Sequence, residues 1–177
     1  MIIDNITIGD NAPEQFNVII EIPANSDPIK YEIDKLSGAL VVDRFVSTNM
    51  SYPVNYGFIP HTLSEDGDPM DVLVITPFPL YPSSVINCRP LGVLRMEDES
   101  GIDSKILALP IKKICPLYNN IDNINQLPTL LMDQLKYFFE HYKALEAGKW
   151  VKMTGWDDIT IAKEEIKASI IRAKKLD

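Results

Sequence analysis

The stretch Asp66-Gly67-Asp68-Pro69-Met70-Asp71 places three carboxylates within six positions. Pro69 excludes a helix interior and Gly67 permits a tight turn, so the segment reads as a turn leading into a strand. Its carboxylates then converge, and like charges that close repel and raise one another's pKa unless a cation compensates them. A calcium EF-hand loop does not fit: counting from Asp66, the sixth position is Asp71 rather than Gly and the twelfth is Pro77 rather than a bidentate Glu. The alternative is a plain Asp-Gly turn. A second acidic group, Glu97-Asp98-Glu99-Ser100-Gly101-Ile102-Asp103, stands just before Lys105 and by itself reads as a charged hairpin turn.

Cations and phenols lie within reach of these acids. A hairpin centred on Ser37 sets Lys30 opposite Arg44, and like charges across a ladder destabilise it unless an anion lies between them. The turn Pro23–Pro28 folds Glu21 back towards Lys30 and Glu32. Tyr52 and Tyr56 flank Pro53; Tyr52 reads as core, whereas Tyr56 either fills core or offers its hydroxyl. Tyr142 and Lys143 adjoin on a helix, with Tyr142 on its apolar stripe. Carboxylates mixed with Lys30, Arg44 and Lys105 suit a polyphosphate bridged by Mg²⁺, the acids holding metal and the cations holding phosphate oxygens.

Alternating apolar residues and turn signals predict strands at Phe16–Ile22, Ile29–Ile33, Ala39–Phe45, Asp71–Thr76, Val85–Met96, Lys105–Pro110 and Trp150–Thr154. Helical spacing predicts Pro128–Leu145, stopped by Gly148, and Ile159–Lys175, capped by Asp157 or Asp158. If Asp71–Thr76 and Val85–Met96 pair antiparallel through Pro77–Ser84, both acidic groups share one rim. Strands first and helices last give a mainly β, α+β fold in one domain spanning residues 1–177: a small closed or partly closed barrel with two helices outside, with a sandwich left open as the alternative.

Composition narrows the classes. With 46% hydrophobic and 24% charged residues the chain is globular, and a net charge of −8 disfavours both nucleic acid and anionic membranes as partners. The charge is uneven: residues 65–103 hold eight acids and two bases. No apolar run approaches the roughly 18 residues of a membrane span. Cys88 and Cys115 form no CxxC, and Met1–Ile20 contains no Lys or Arg, unlike a signal peptide, so a reducing, cytoplasmic setting is expected.

Glu21–Glu32, Asp43-Arg44, Tyr52-Pro-Val-Asn-Tyr-Gly57, Asp66–Asp71, Asp98, Asp103, Lys105, Phe138–Lys143 and Lys149-Trp150 together resemble the soluble inorganic pyrophosphatases of the first family, bacterial type. The resemblance runs along essentially the whole chain. It implies a five-stranded OB-like barrel with flanking helices, assembled as a homohexamer (a dimer of trimers). It also implies hydrolysis of pyrophosphate to two phosphates with several Mg²⁺ ions. Asp66, Asp71, Asp103 and Asp98 would be metal ligands, supported by Glu21 and Glu32. Lys30, Arg44, Tyr56, Lys105, Tyr142 and Lys143 would contact phosphate, and Asp68 would be general base to a hydroxide bridging two metals. The competing readings are another metal-dependent phosphohydrolase and a non-enzymatic OB-like module binding single-stranded nucleic acid. The second calls for a basic groove with exposed aromatics, whereas this rim is acidic.

Overall fold

The computed structural model describes residues 3–175, so the first two positions of the Met1–Ile20 stretch lie outside the described residues. Its elements are β1 (Phe16–Ile22), β2 (Ile29–Ile33), β3 (Leu40–Phe45), β4 (Asn55–Phe58), β5 (Asp71–Val74), β6 (Val85–Asp98), β7 (Gly101–Ile102), β8 (Lys105–Pro110), α1 (Thr129–His141), β9 (Val151–Asp157) and α2 (Ile159–Ala173). Strands pair in the order β1-β4-β5-β8-β6, and β6 pairs back to β1, so five strands close a ring of the OB-like class. β7 and β9 extend β6 beyond the ring, while β2 and β3 form a separate hairpin.

The pairing of Asp71–Thr76 with Val85–Met96 expected from the sequence is not found: β8 lies between β5 and β6, parallel to the first and antiparallel to the second. The shared rim survives by this other route. Parallel pairing brings the starts of β5 and β8 together, and antiparallel pairing brings the far part of β6, at Leu94, opposite Lys105. Two strands were not legible in the pattern: β4 is only four residues long and buried throughout, and β7 only two.

Alternation along the ring strands splits the core in two. Val72, Val74, Ile106 and Ala108 pack with Ala162 and Ile166 of α2. Leu73, Leu107 and Leu109 face the other way, with Leu135, Phe138 and Phe139 of α1. Each helix thus covers one side of the sheet, as its apolar stripe requires. Asp158 caps α2, its Oδ1 accepting from the Thr160 and Ile161 amides at 2.8 and 3.2 Å. α1 ends at His141 rather than Leu145, because beyond Tyr142 the backbone bonds reach back only three residues, as in Ala144 to His141 and Glu146 to Lys143.

Closure of the ring depends on close approach of β4 to β1. A Cβ at Gly57 would lie 2.0 Å from the Ile19 carbonyl oxygen, a backbone atom that cannot swing aside. Gly57→Ala is therefore expected to lower stability by about 3 kcal/mol, at the upper end of overpacking costs. Urea unfolding checks this; an unchanged midpoint would show that the two strands separate freely.

Candidate active site

All thirteen residues singled out in the sequence line one open cavity of about 360 Å³ at the rim of the ring. β5 and β8 supply its floor by placing Asp71 and Lys105, each the first residue of its strand, side by side. The Lys105 ammonium, 3% exposed, lies 2.8 Å from Asp71 Oδ2, 2.9 Å from Asp103 Oδ1 and 3.1 Å from the Tyr56 hydroxyl. Tyr56 in turn donates its hydroxyl proton to Asp71. Burial acts to lower the pKa of Lys105, but Asp71, Tyr56 and Asp103 outweigh it and hold the pKa well above the ordinary lysine value.

The wall carries a second cation–carboxylate pair. Lys143 Nζ lies 2.7 Å from Asp98 Oδ2, both side chains being buried, and 3.8 Å from Glu99. Lys149 reaches Glu99 at 2.5 Å; against the opposing effect of burial, that contact holds the Glu99 carboxyl down at about 2. Tyr142 is buried against Phe138, Phe139 and Tyr52, so its ring is core while its residue also lines the cavity. The two readings of Tyr142 are compatible. Tyr52, as expected, is core, 4% exposed.

On the hairpin, Lys30 and Arg44 do stand opposite each other. The anion between them is internal: Asp43 lies 3.4 Å from Lys30 and 3.1 Å from Arg44. Lys30 also pairs with Glu32. The turn brings Glu21 back as anticipated, with Oε1 accepting from the Ile33 amide at 2.8 Å. Burial pushes the Glu21 carboxyl up to about 8, the Ile33 hydrogen bond opposing and Asp71 and Glu32 adding to it.

Asp66 and Asp68 sit at the mouth in the loop before β5. Gly67 adopts φ +91° there, and the Asp68 amide donates to Asp66 Oδ1 at 3.0 Å. Asp68 is exposed and pairs with Lys35 at 3.1 Å. Burial, together with Asp103 and Asp71, raises the Asp66 pKa, the Asp68 amide partly offsetting them. The expected tight convergence of carboxylates is not found. Among the described residues no three of His, Cys, Asp and Glu are gathered closely enough to hold a metal ion as they stand. Lys105 stands between Asp71 and Asp103 and compensates their charge.

Sequence reasoning missed Lys35, which adjoins the hairpin turn, and left Glu99 without a role; both line the cavity, as does Lys149. Only the acidic run around Glu99 offered a signal. His61 lies in a turn and His141 stacks on Tyr137, both away from the cavity lining.

The closed OB-like ring thus carries at its rim one cavity in which eight carboxylates are mixed with six cations. The family model described as inorganic pyrophosphatase matches residues 18–174. Proteins named inorganic pyrophosphatase from Escherichia coli K12 and Haemophilus ducreyi are 61% and 58% identical, covering 96% and 98% of this chain and 97% and 99% of their own. The solved inorganic pyrophosphatase of Thermus thermophilus superposes with TM-score 0.93 at 43% identity, over 98% of this chain and 99% of that one. The chain belongs to the inorganic pyrophosphatase family.

Because the Glu21 pKa is about 8 in the folded chain against an ordinary 4.5, the folded state binds the extra proton between those values. Stability contributed by neutral Glu21 is complete below the lower value and is lost as pH rises through the upper one. In EDTA, the urea midpoint is expected to fall between about pH 5 and about pH 8. Glu21→Gln, which keeps the acceptor for Ile33, flattens that slope. Equal slopes in the two proteins would show that Glu21 ionises normally.

Proposed function

We propose that the chain hydrolyses inorganic pyrophosphate to two orthophosphates and that Mg²⁺ is its cofactor. Support comes from one observation above all: thirteen residues scattered from Glu21 to Lys143 meet at a single cavity in which both charge signs are present. A pure anion site would not tolerate eight carboxylates, and a pure metal store would not need six cations. The donors fit Mg²⁺ because they are hard carboxylate oxygens. Asp66, Asp71 and Asp103 would hold it at the floor and mouth, Asp98 with Asp103 at the wall, and Glu21 and Glu32 would support them. When bound, Mg²⁺ supplies charge to phosphate oxygens and lowers the pKa of water.

The protein's own groups then do the rest. Lys30, Arg44, Lys105 and Lys143, with the phenols of Tyr56 and Tyr142, bind the two phosphates and neutralise charge on the departing one. Asp68, exposed at the mouth with only Lys35 against it, takes the proton of the attacking water. No covalent intermediate is involved. The same reading carries a homohexamer in the cytoplasm, its assembly checked by light scattering.

Phosphate release from pyrophosphate with millimolar Mg²⁺ tests the reaction; a substrate panel of nucleoside triphosphates and polyphosphate separates it from other phosphohydrolases. Activity surviving full chelation by EDTA would refute the metal requirement. Asp68→Asn is expected to lower turnover about 10²-fold with the fold intact, and near-normal turnover removes Asp68 from that role. Mg²⁺ is also expected to tighten phosphate binding, by about 10-fold, in calorimetric titrations. Equal phosphate affinity with and without Mg²⁺ would contradict the arrangement.

A further inference from the structure

A smaller cavity of about 190 Å³ lies behind the carboxylate wall and shares Asp66, Asp71 and Asp103 with the main one. Its far side is α2, which reaches the carboxylate segments through two arginines. Arg172 Nε donates to the Leu63 carbonyl at 2.8 Å, and the Leu63 amide donates back to the Ser169 carbonyl at 3.0 Å. Ser169 is fully buried, and its small side chain, bonded to the Ile166 carbonyl at 2.8 Å, leaves room for the loop to lie against the helix. From Leu63 the connection runs one residue onward: the Ser64 amide donates to the Asp68 carbonyl at 2.7 Å. The Asp66–Asp68 loop is thereby fastened to α2 at both faces of one residue.

The second arginine serves the other segment. Arg95 Nη1 donates to Ser104 Oγ at 3.2 Å and to Glu165 Oε1 at 2.8 Å, while Nε reaches Asp157 Oδ2 at 2.6 Å. Ser104 stands between Asp103 and Lys105. Two segments far apart in sequence are thus braced against the same helix from behind.

We infer that α2, through Arg172 and through Glu165 with Arg95, is a positioning element that sets the spacing between Asp66 and Asp103 for divalent-cation binding. This rests on the reading of those carboxylates as metal ligands. The arginines touch neither substrate nor cation; they act through Leu63 and Ser104. Groups that hold ligand side chains in place typically govern metal affinity by about 10- to 100-fold when removed.

The test is calorimetric titration of the full chain with Mg²⁺ alone, without substrate, alongside the Mg²⁺ dependence of pyrophosphate hydrolysis. Arg172→Met and Glu165→Gln are each expected to weaken Mg²⁺ binding about 10-fold, and to raise the Mg²⁺ needed for half-maximal rate in step. Arg172→Lys, which keeps a donor, should recover part of the loss. Ile170→Ala, on the apolar stripe of the same helix, serves as a control for general destabilisation, because it loosens packing without removing a hydrogen bond to either segment. Mg²⁺ binding unchanged in Arg172→Met, or weakened equally in Ile170→Ala, overturns the inference. If Arg172→Met does not fold, Glu165→Gln decides by the same criterion. Because the titration needs no turnover, wild-type protein that binds Mg²⁺ yet leaves pyrophosphate intact would sink the proposed reaction and leave this inference standing.

Discussion

An ammonium group buried at the bottom of an acidic cavity is the constraint on which both fold and site depend. Stranding a charge out of water costs several kcal/mol unless opposite charge and hydrogen bonds surround it. Lys105 meets that condition only because β5 and β8 run parallel, so that Asp71 begins one strand where Lys105 begins the next. Asp103 and the Tyr56 hydroxyl complete its surroundings. The same geometry relieves repulsion between the two carboxylates. Removing Lys105 would leave two half-buried carboxylates without their shared cation, so sheet order and cavity chemistry are one problem with one solution.

Around that floor, apolar and aromatic packing fixes the polar groups in direction. Tyr52, Tyr56, Phe138, Phe139 and Tyr142 form a continuous set of edge-to-face and stacked rings at centroid distances from 4.6 to 6.5 Å. Rings packed this way lock rotamers and exclude water, and low local dielectric strengthens each charge contact above them. The Lys143–Asp98 pair stands over the same aromatic set, next to Tyr142. Strand starts and ends carry Asp71, Asp98 and Lys105, whereas the groups at the mouth ride on loops. One half of the cavity is thus made by the sheet, and the other by turns.

Much of this was legible in the chain because period-two alternation and helical stripes are local signals. Phe16–Ile22, Ile29–Ile33 and Lys105–Pro110 are strands over the ranges their patterns give, whereas Lys30 meets Arg44 only through a bulge between Lys30 and Tyr31 that the turn does not encode. β4 was not, because a four-residue strand buried on both faces has no alternation, and Gly57 within it reads as a turn residue until the approach to Ile19 is seen. Insertion of β8 between β5 and β6 is a non-local choice that turn lengths do not encode. The internal compensation was also invisible: sequence shows that the acids need cations, not that Lys105, Lys143 and Asp43 already meet the need among themselves.

That internal compensation has an energetic consequence for the proposed reaction. Each of these cations proposed to bind phosphate is paired with a carboxylate proposed to bind a divalent ion: Lys105 with Asp71 and Asp103, Lys143 with Asp98, Lys30 with Glu32. A phosphate arriving alone would have to take those ammonium groups from their partners and leave carboxylates uncompensated in a partly dry cavity. A divalent ion arriving alone would leave the ammonium groups in the same position. Arriving together, each repairs what the other breaks, so the cost of separating the pairs is met once rather than twice. Two ligands that share one such cost bind with positive coupling, and the coupling is reciprocal. Under the proposed reaction, charges of both signs packed into one cavity would therefore favour a metal-bound polyphosphate over either component by itself, a selectivity that no single residue in the cavity could supply.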